Sequence, residues 1–198
     1  MKKTSLFAKA LMGAAVVTMS LGTVSCKEKA EDPAEVADDA NEEKFDDTAK
    51  DNLEDDSEYM VMAAEVDMKE IELGNLAQQK STNADVKALG KMMVDEHTKS
   101  SATTKALAAK KNITLPTTRT EKVEEGAEDL NDKTGHDFDK KYADMMVDGH
   151  EKTIEKMEKA SEDAKDEEIR MWAANMLPTL RKHLDHAKMV KEKVDAIK

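Results

Sequence analysis

The sequence predicts an all-α protein, a four-helix bundle preceded by a disordered N-terminal tether. Three observations predict it. Aromatic residues are 3% of the 198-residue chain and charged residues 37%, with only 7 Gly and 3 Pro, a mixture that favours helix over sheet. Four stretches between residues 58 and 198 repeat apolar side chains at helical spacing. Short polar turns join the first two and the last two, so each pair is antiparallel.

In chain order, residues 1–25 read as a signal peptide. Lys2 and Lys3 supply a basic start, an apolar run follows, and small residues lead to Ser25-Cys26. The run Ala10–Val17 is too short to span a bilayer comfortably. Cys26 is the one cysteine, which excludes an intramolecular disulfide. Gly22-Thr23-Val24-Ser25-Cys26 resembles a loosened bacterial lipobox, with Thr23 where Leu is usual. That resemblance implies cleavage before Cys26, lipid attachment to its sulfur, and a protein held to a membrane of the bacterial envelope, on the outer-membrane or periplasmic side.

Residues 26–57 read as an acidic tether. From residue 27 they hold 14 Asp or Glu against 4 Lys and almost no large apolar side chains, which predicts a solvated, disordered spacer. The net charge of the whole chain is -12, and phosphate binding needs the opposite sign, so nucleic acid is excluded as an expected partner.

The folded domain is expected over 58–198. Its first helix runs from Ser57 or Glu58 to about Lys80 on a stripe of Tyr59, Ala63, Val66, Leu73 and Ala77. Thr82 or Asn83 can cap the second helix, which reaches about Lys111 before Asn112 and Pro116 end it. Residues 112–134 connect the halves, with a short acidic helix expected between Thr120 and Leu130. The third helix runs from near Gly135 to about Ala164. Asp166 can cap the fourth, which carries Pro178 inside it and should kink there. The route of the connection is left open.

A phrase occurs twice: Met92-Met93-Val94-Asp95-Glu96-His97 and Met145-Met146-Val147-Asp148-Gly149-His150. Both histidines interrupt apolar stripes, as do Glu70 on the first helix and His183 on the fourth. Counting from the turns at about 1.5 Å per residue puts each pair within one helical turn of a shared depth. An unpaired charge there is costly to bury, so these groups need partners. Three imidazoles and a carboxylate suit Fe, Zn or Mn, and Met93 and Met146, one turn before their histidines, widen the choice to Cu. Asp67 and His186 are candidates for supporting the ligands or joining them. The alternative is a metal-free Glu–His cluster that sets helix register in a structural or interaction module of the envelope. Asp95 and Asp148 should face solvent, and Trp172 should anchor the core.

No Glu-x-x-His motif precedes the histidines, so a di-iron carboxylate centre is a poor fit. There is no nucleophile–base pattern and no phosphate-binding glycine loop, which favours a non-enzymatic role.

Several phrases carry a family resemblance: Glu70-Ile71-Glu72-Leu73-Gly74-Asn75-Leu76-Ala77, Met93-Val94-Asp95-Glu96-His97-Thr98, Gly135-His136-Asp137-Phe138-Asp139, and Leu177-Pro178-Thr179-Leu180-Arg181-Lys182-His183-Leu184. The chain resembles the bacterial domain-of-unknown-function family 4142. That resemblance implies a ferritin-like bundle, secreted or lipid-anchored in the envelope, and no particular activity.

Overall fold

A computed structural model of the chain describes residues 30–45 and 51–197. The expected signal peptide and Cys26 lie outside the described residues. The described elements are all helical: α1 (Pro33–Phe45), α2 (Asp51–Lys80), α3 (Ala84–Lys111), α4 (Glu121–Asn131), α5 (Gly135–Asp163) and α6 (Glu167–Asp195). Four of them, α2, α3, α5 and α6, are the expected long helices. None of the described helices is long and apolar enough to cross a membrane.

Local chemistry sets the boundaries. The Asn83 side chain accepts the backbone N–H groups of Asp85 and Val86, and Asp166 does the same for Glu168 and Ile169. These caps satisfy donors that a helix start otherwise leaves bare. Asn112 closes α3 in the left-handed conformation at φ 59°, which asparagine tolerates well. α6 is continuous through Pro178.

Contacts at the helix ends fix the topology. At one end Ser81, just after α2, donates to Asp139 near the start of α5 at 2.6 Å. At the other end Asp56 in α2 accepts the backbone N–H groups of Lys165 and Asp166 at 2.8 and 2.6 Å. α2 and α5 are therefore antiparallel. Lys110 pairs with Glu168, and Asp85 with Lys193, so α3 and α6 are antiparallel too. The connection through α4 must then run from one end of the bundle to the other. One long crossover between two hairpins is the ferritin-like arrangement. α4 lies on α2, where Lys122 pairs with the buried Glu65 at 2.7 Å.

The expected tether needs correction. Its residues 33–45 form α1, and 51–57 are the first turns of α2. Ala34, Ala37, Asn41 and Phe45 recur at helical spacing and are buried. Asn41 exchanges two hydrogen bonds with the backbone of Thr114, at 2.9 and 2.7 Å. This amide pairing and the Phe45 ring offset the chain entropy that the acidic composition alone would leave unmet. Asp56 lies in the stretch read as spacer, yet it caps the α5–α6 turn.

Beside a small apolar cluster of Ala34, Ala37 and Val61 where α1 meets α2, the core has two large ones. One holds Leu73, Met93, Phe138, Tyr142, Met146 and Val194. The other holds Met60, Ala108, Met157, Ile169, Trp172 and Leu180. On each long helix the candidate ligands fall between members of the two clusters, so a polar layer separates them. α2 and α3 approach closely beside this layer: a Cβ on either Gly74 or Gly90 would meet the other's carbonyl oxygen at 2.7 Å. Only glycine fits such a backbone contact.

Candidate metal centre

His97 on α3, His150 on α5 and His183 on α6 meet in the polar layer. Their ring centroids are 5.6, 5.3 and 5.4 Å apart, nearly an equilateral triangle. One ring nitrogen from each lies within 4.8 Å of the other two. All three side chains are buried, with exposures of 1–2%. His97 Nε2, His150 Nε2 and His183 Nδ1 are buried without a hydrogen-bond partner.

The other nitrogens of His97 and His150 are held. His150 Nδ1 lies 2.8 Å from the Met146 carbonyl oxygen. A carbonyl can only accept, so Nδ1 carries the proton and Nε2 presents a bare lone pair. His97 Nδ1 lies 2.8 Å from Asp67 Oδ1, and the Ser100 hydroxyl donates to Asp67 Oδ2 at 3.0 Å. A histidine braced by a carboxylate is the usual support for a metal-binding imidazole.

Burial dominates the electrostatics. It depresses His97 and His150 to about 4 and His183 to about 3, with the neighbouring imidazoles adding to the shift at His150 and His183. The three rings are thus neutral at pH 7, the form that binds metal. Burial raises Asp67 to about 8, opposed by the Ser100 hydrogen bond and by Lys105. The His97–Asp67 contact is therefore a neutral hydrogen bond sharing one proton, although its 2.8 Å length would suit an ion pair. Burial also raises Glu70 to about 8, opposed by Lys69.

Glu70 is buried at the expected depth but does not join the convergent group. Its Oε1 would lie 3.3 Å from a Cβ on Gly149, and its Oε2 has no partner. It lines a cavity among α2, α4 and α5 with Lys69, Lys122 and Gly149. Counting along the axis fixed the depth of Glu70 but not the direction its carboxylate takes. Met93 and Met146 place their side chains in the apolar core, and the role of Met146 falls to its carbonyl oxygen. His186 turns away from the trio toward Met92. Asp95 and Asp148 are exposed, as expected.

A cavity of about 480 Å³ between α3 and α6 opens beside the trio. Leu107, Trp172, Met176 and Leu180 line it, with His97 and His183 on its wall. Trp172 belongs to the core, as expected, but also borders this cavity, and its Nε1 is buried without a partner. Sequence reading left two roles unassigned: Ser100 as the brace of Asp67, and Trp172 as cavity wall. Ser100 stands one turn beyond His97, and that spacing was the available signal.

The described residues thus form a helical domain with three buried histidines at metal-ligand separation. A family model, Domain of unknown function (DUF4142), matches residues 40–190. No curated protein and no solved structure matches the chain. The chain belongs to the DUF4142 family.

Proposed function

We propose that this chain is an envelope lipoprotein whose bundle holds one divalent transition metal ion on His97, His150 and His183. The observation that carries the reading is the convergence of three neutral imidazoles whose buried nitrogens lack partners. Left bare, each such nitrogen costs about 1–3 kcal/mol. An ion would satisfy all three at once. Imidazole nitrogens bind zinc at about 2.0–2.1 Å. Nitrogens already within 4.8 Å of one another need only small side-chain rotations to reach that distance.

With Glu70 outside the trio, the donor set is three nitrogens, which suits Zn²⁺ or Cu²⁺ better than oxygen-preferring Mn²⁺. An ion there would draw the protons off Asp67 behind His97 and off the buried Glu70, and the two carboxylates so formed would match its double charge. The α3–α6 cavity gives the centre a side from which a fourth ligand can approach. A single mononuclear centre fits buffering, sensing or ligand activation better than bulk storage.

Elemental analysis of the full chain, loaded with Zn, Cu, Fe and Mn in turn and then desalted, tests the reading. One ion per chain is expected for the wild type and none for the His97→Ala/His150→Ala variant, with circular dichroism checking that the variant is folded. Negligible metal in both would leave the layer a register-setting cluster. For the anchor, mass spectrometry of the mature N-terminus should find an acylated Cys26. An unmodified product would refute that part alone.

A further inference from the structure

Outside the polar layer, His186 and Met92 bring an imidazole against a thioether. His186 Nδ1 lies 2.9 Å from the sulfur of Met92, linking α6 to α3. Met189 follows His186 by three residues, which puts it next to His186 on the helix surface. Met189 is 50% exposed, an unusual position for a long apolar side chain. All three border one half-open groove of about 260 Å³. Its other charged walls are Asp85 and Lys193, which are bound to each other at 2.8 Å. The Asp85 carboxylate is thereby already engaged. The donors left facing the groove are one imidazole and two thioethers.

That set discriminates among ions. Hard ions such as Mg²⁺ and Ca²⁺ need several oxygens, which the groove does not offer. Thioethers bind soft ions, above all Cu(I). A monovalent ion on neutral ligands in a half-open groove also avoids the charge burden of a buried dication.

We propose that His186, Met92 and Met189 form a surface site for a soft monovalent ion, Cu(I), with Ag(I) as its redox-inert analogue. The site shares no ligand with the histidine trio and does not depend on it. An ion there would join α3 to α6 near the end of the bundle where Asp85 meets Lys193.

The test uses the full chain with Cys26 alkylated, because a free thiol would compete for the ion. With methyl-labelled methionines, stoichiometric Ag(I) should shift the NMR resonances of Met92 and Met189 and leave that of Met171 in place. Met171 is the control because it is 57% exposed on the same helix. Competition against a chromogenic Cu(I) chelator should show affinity reduced roughly tenfold or more by Met92→Leu and by Met189→Leu. Both substitutions nearly conserve volume, so the fold is retained. Met171→Leu removes an exposed thioether elsewhere on the same helix and should leave Cu(I) affinity unchanged. Equal shifts at Met171 and Met189, an unmoved Met92, or unaltered affinity in the Met92→Leu/Met189→Leu variant would overturn the proposal.

Discussion

The two apolar ends of the bundle and the polar layer between them follow opposite rules. At the ends the enclosed side chains are mostly hydrocarbon, as with Phe138, Met157 and Ile169, and unpartnered polar atoms such as Trp172 Nε1 stand singly. In the layer, Glu70, His97, His150 and His183 each bury an atom that has no partner. The ends lower the free energy of the fold, and the layer raises it unless something binds. Protein interiors seldom keep several such atoms together, so the contrast singles out the layer as the place where a bound group would offset a cost in stability.

The largest test of that contrast is at an end. Phe138→Ala should cost about 3–5 kcal/mol in chemical denaturation, since it empties a fully buried ring site. A loss below about 1 kcal/mol would mean that the end is not close-packed.

Next comes the layer with the proposed ion. Zn²⁺ at about a hundred times its dissociation constant should stabilise the wild type by about 2.7 kcal/mol. The His97→Ala/His150→Ala variant should gain nothing under the same conditions. Equal melting shifts in both proteins would erase the distinction between layer and ends.

A subtler test is the pH dependence of the metal-free protein. The histidines fall from 6.5 in the unfolded chain to about 4, 4 and 3 in the fold, so they lower stability only as pH drops below about 6.5. The carboxylates act in the other direction. Asp67 and Glu70 rise from 3.8 and 4.5 to about 8, so the folded state holds protons that the unfolded state has released. Stability should therefore fall as pH climbs from about 6.5 to about 8, by up to about 1.4 kcal/mol per pH unit for each carboxylate. Glu70→Gln should reduce that slope, and an unchanged slope would locate the titration elsewhere. The smallest effect belongs to the surface. Arg181→Ala removes an exposed pair with Glu158 and should shift stability by less than about 0.5 kcal/mol.

Much of this is legible in the sequence alone. Asn83 and Asp166 announce their helices, because a short polar side chain before an apolar periodic run has few other uses. The histidines stand out because each breaks a stripe. α1 stayed hidden for a physical reason: its buried face is mostly small, Ala34, Ala37 and Asn41, set among acidic residues that dominate any compositional average. What orders it is the long-range pairing with Thr114. Glu70 shows a different limit. Residue counting along a helix gives height, whereas the reach of a flexible carboxylate depends on the space that Gly149 leaves on another helix.

The trio is divided between the two hairpins. α2 and α3 supply His97 with its Asp67 brace, while α5 and α6 supply His150 and His183. Neither half alone offers more than two nitrogens, and the only covalent link between them is the crossover through α4. Any shared ion would therefore act as a clasp, held while the halves are mated and lost when they part. Strain that pried them apart would release the cargo without touching a single coordinating residue.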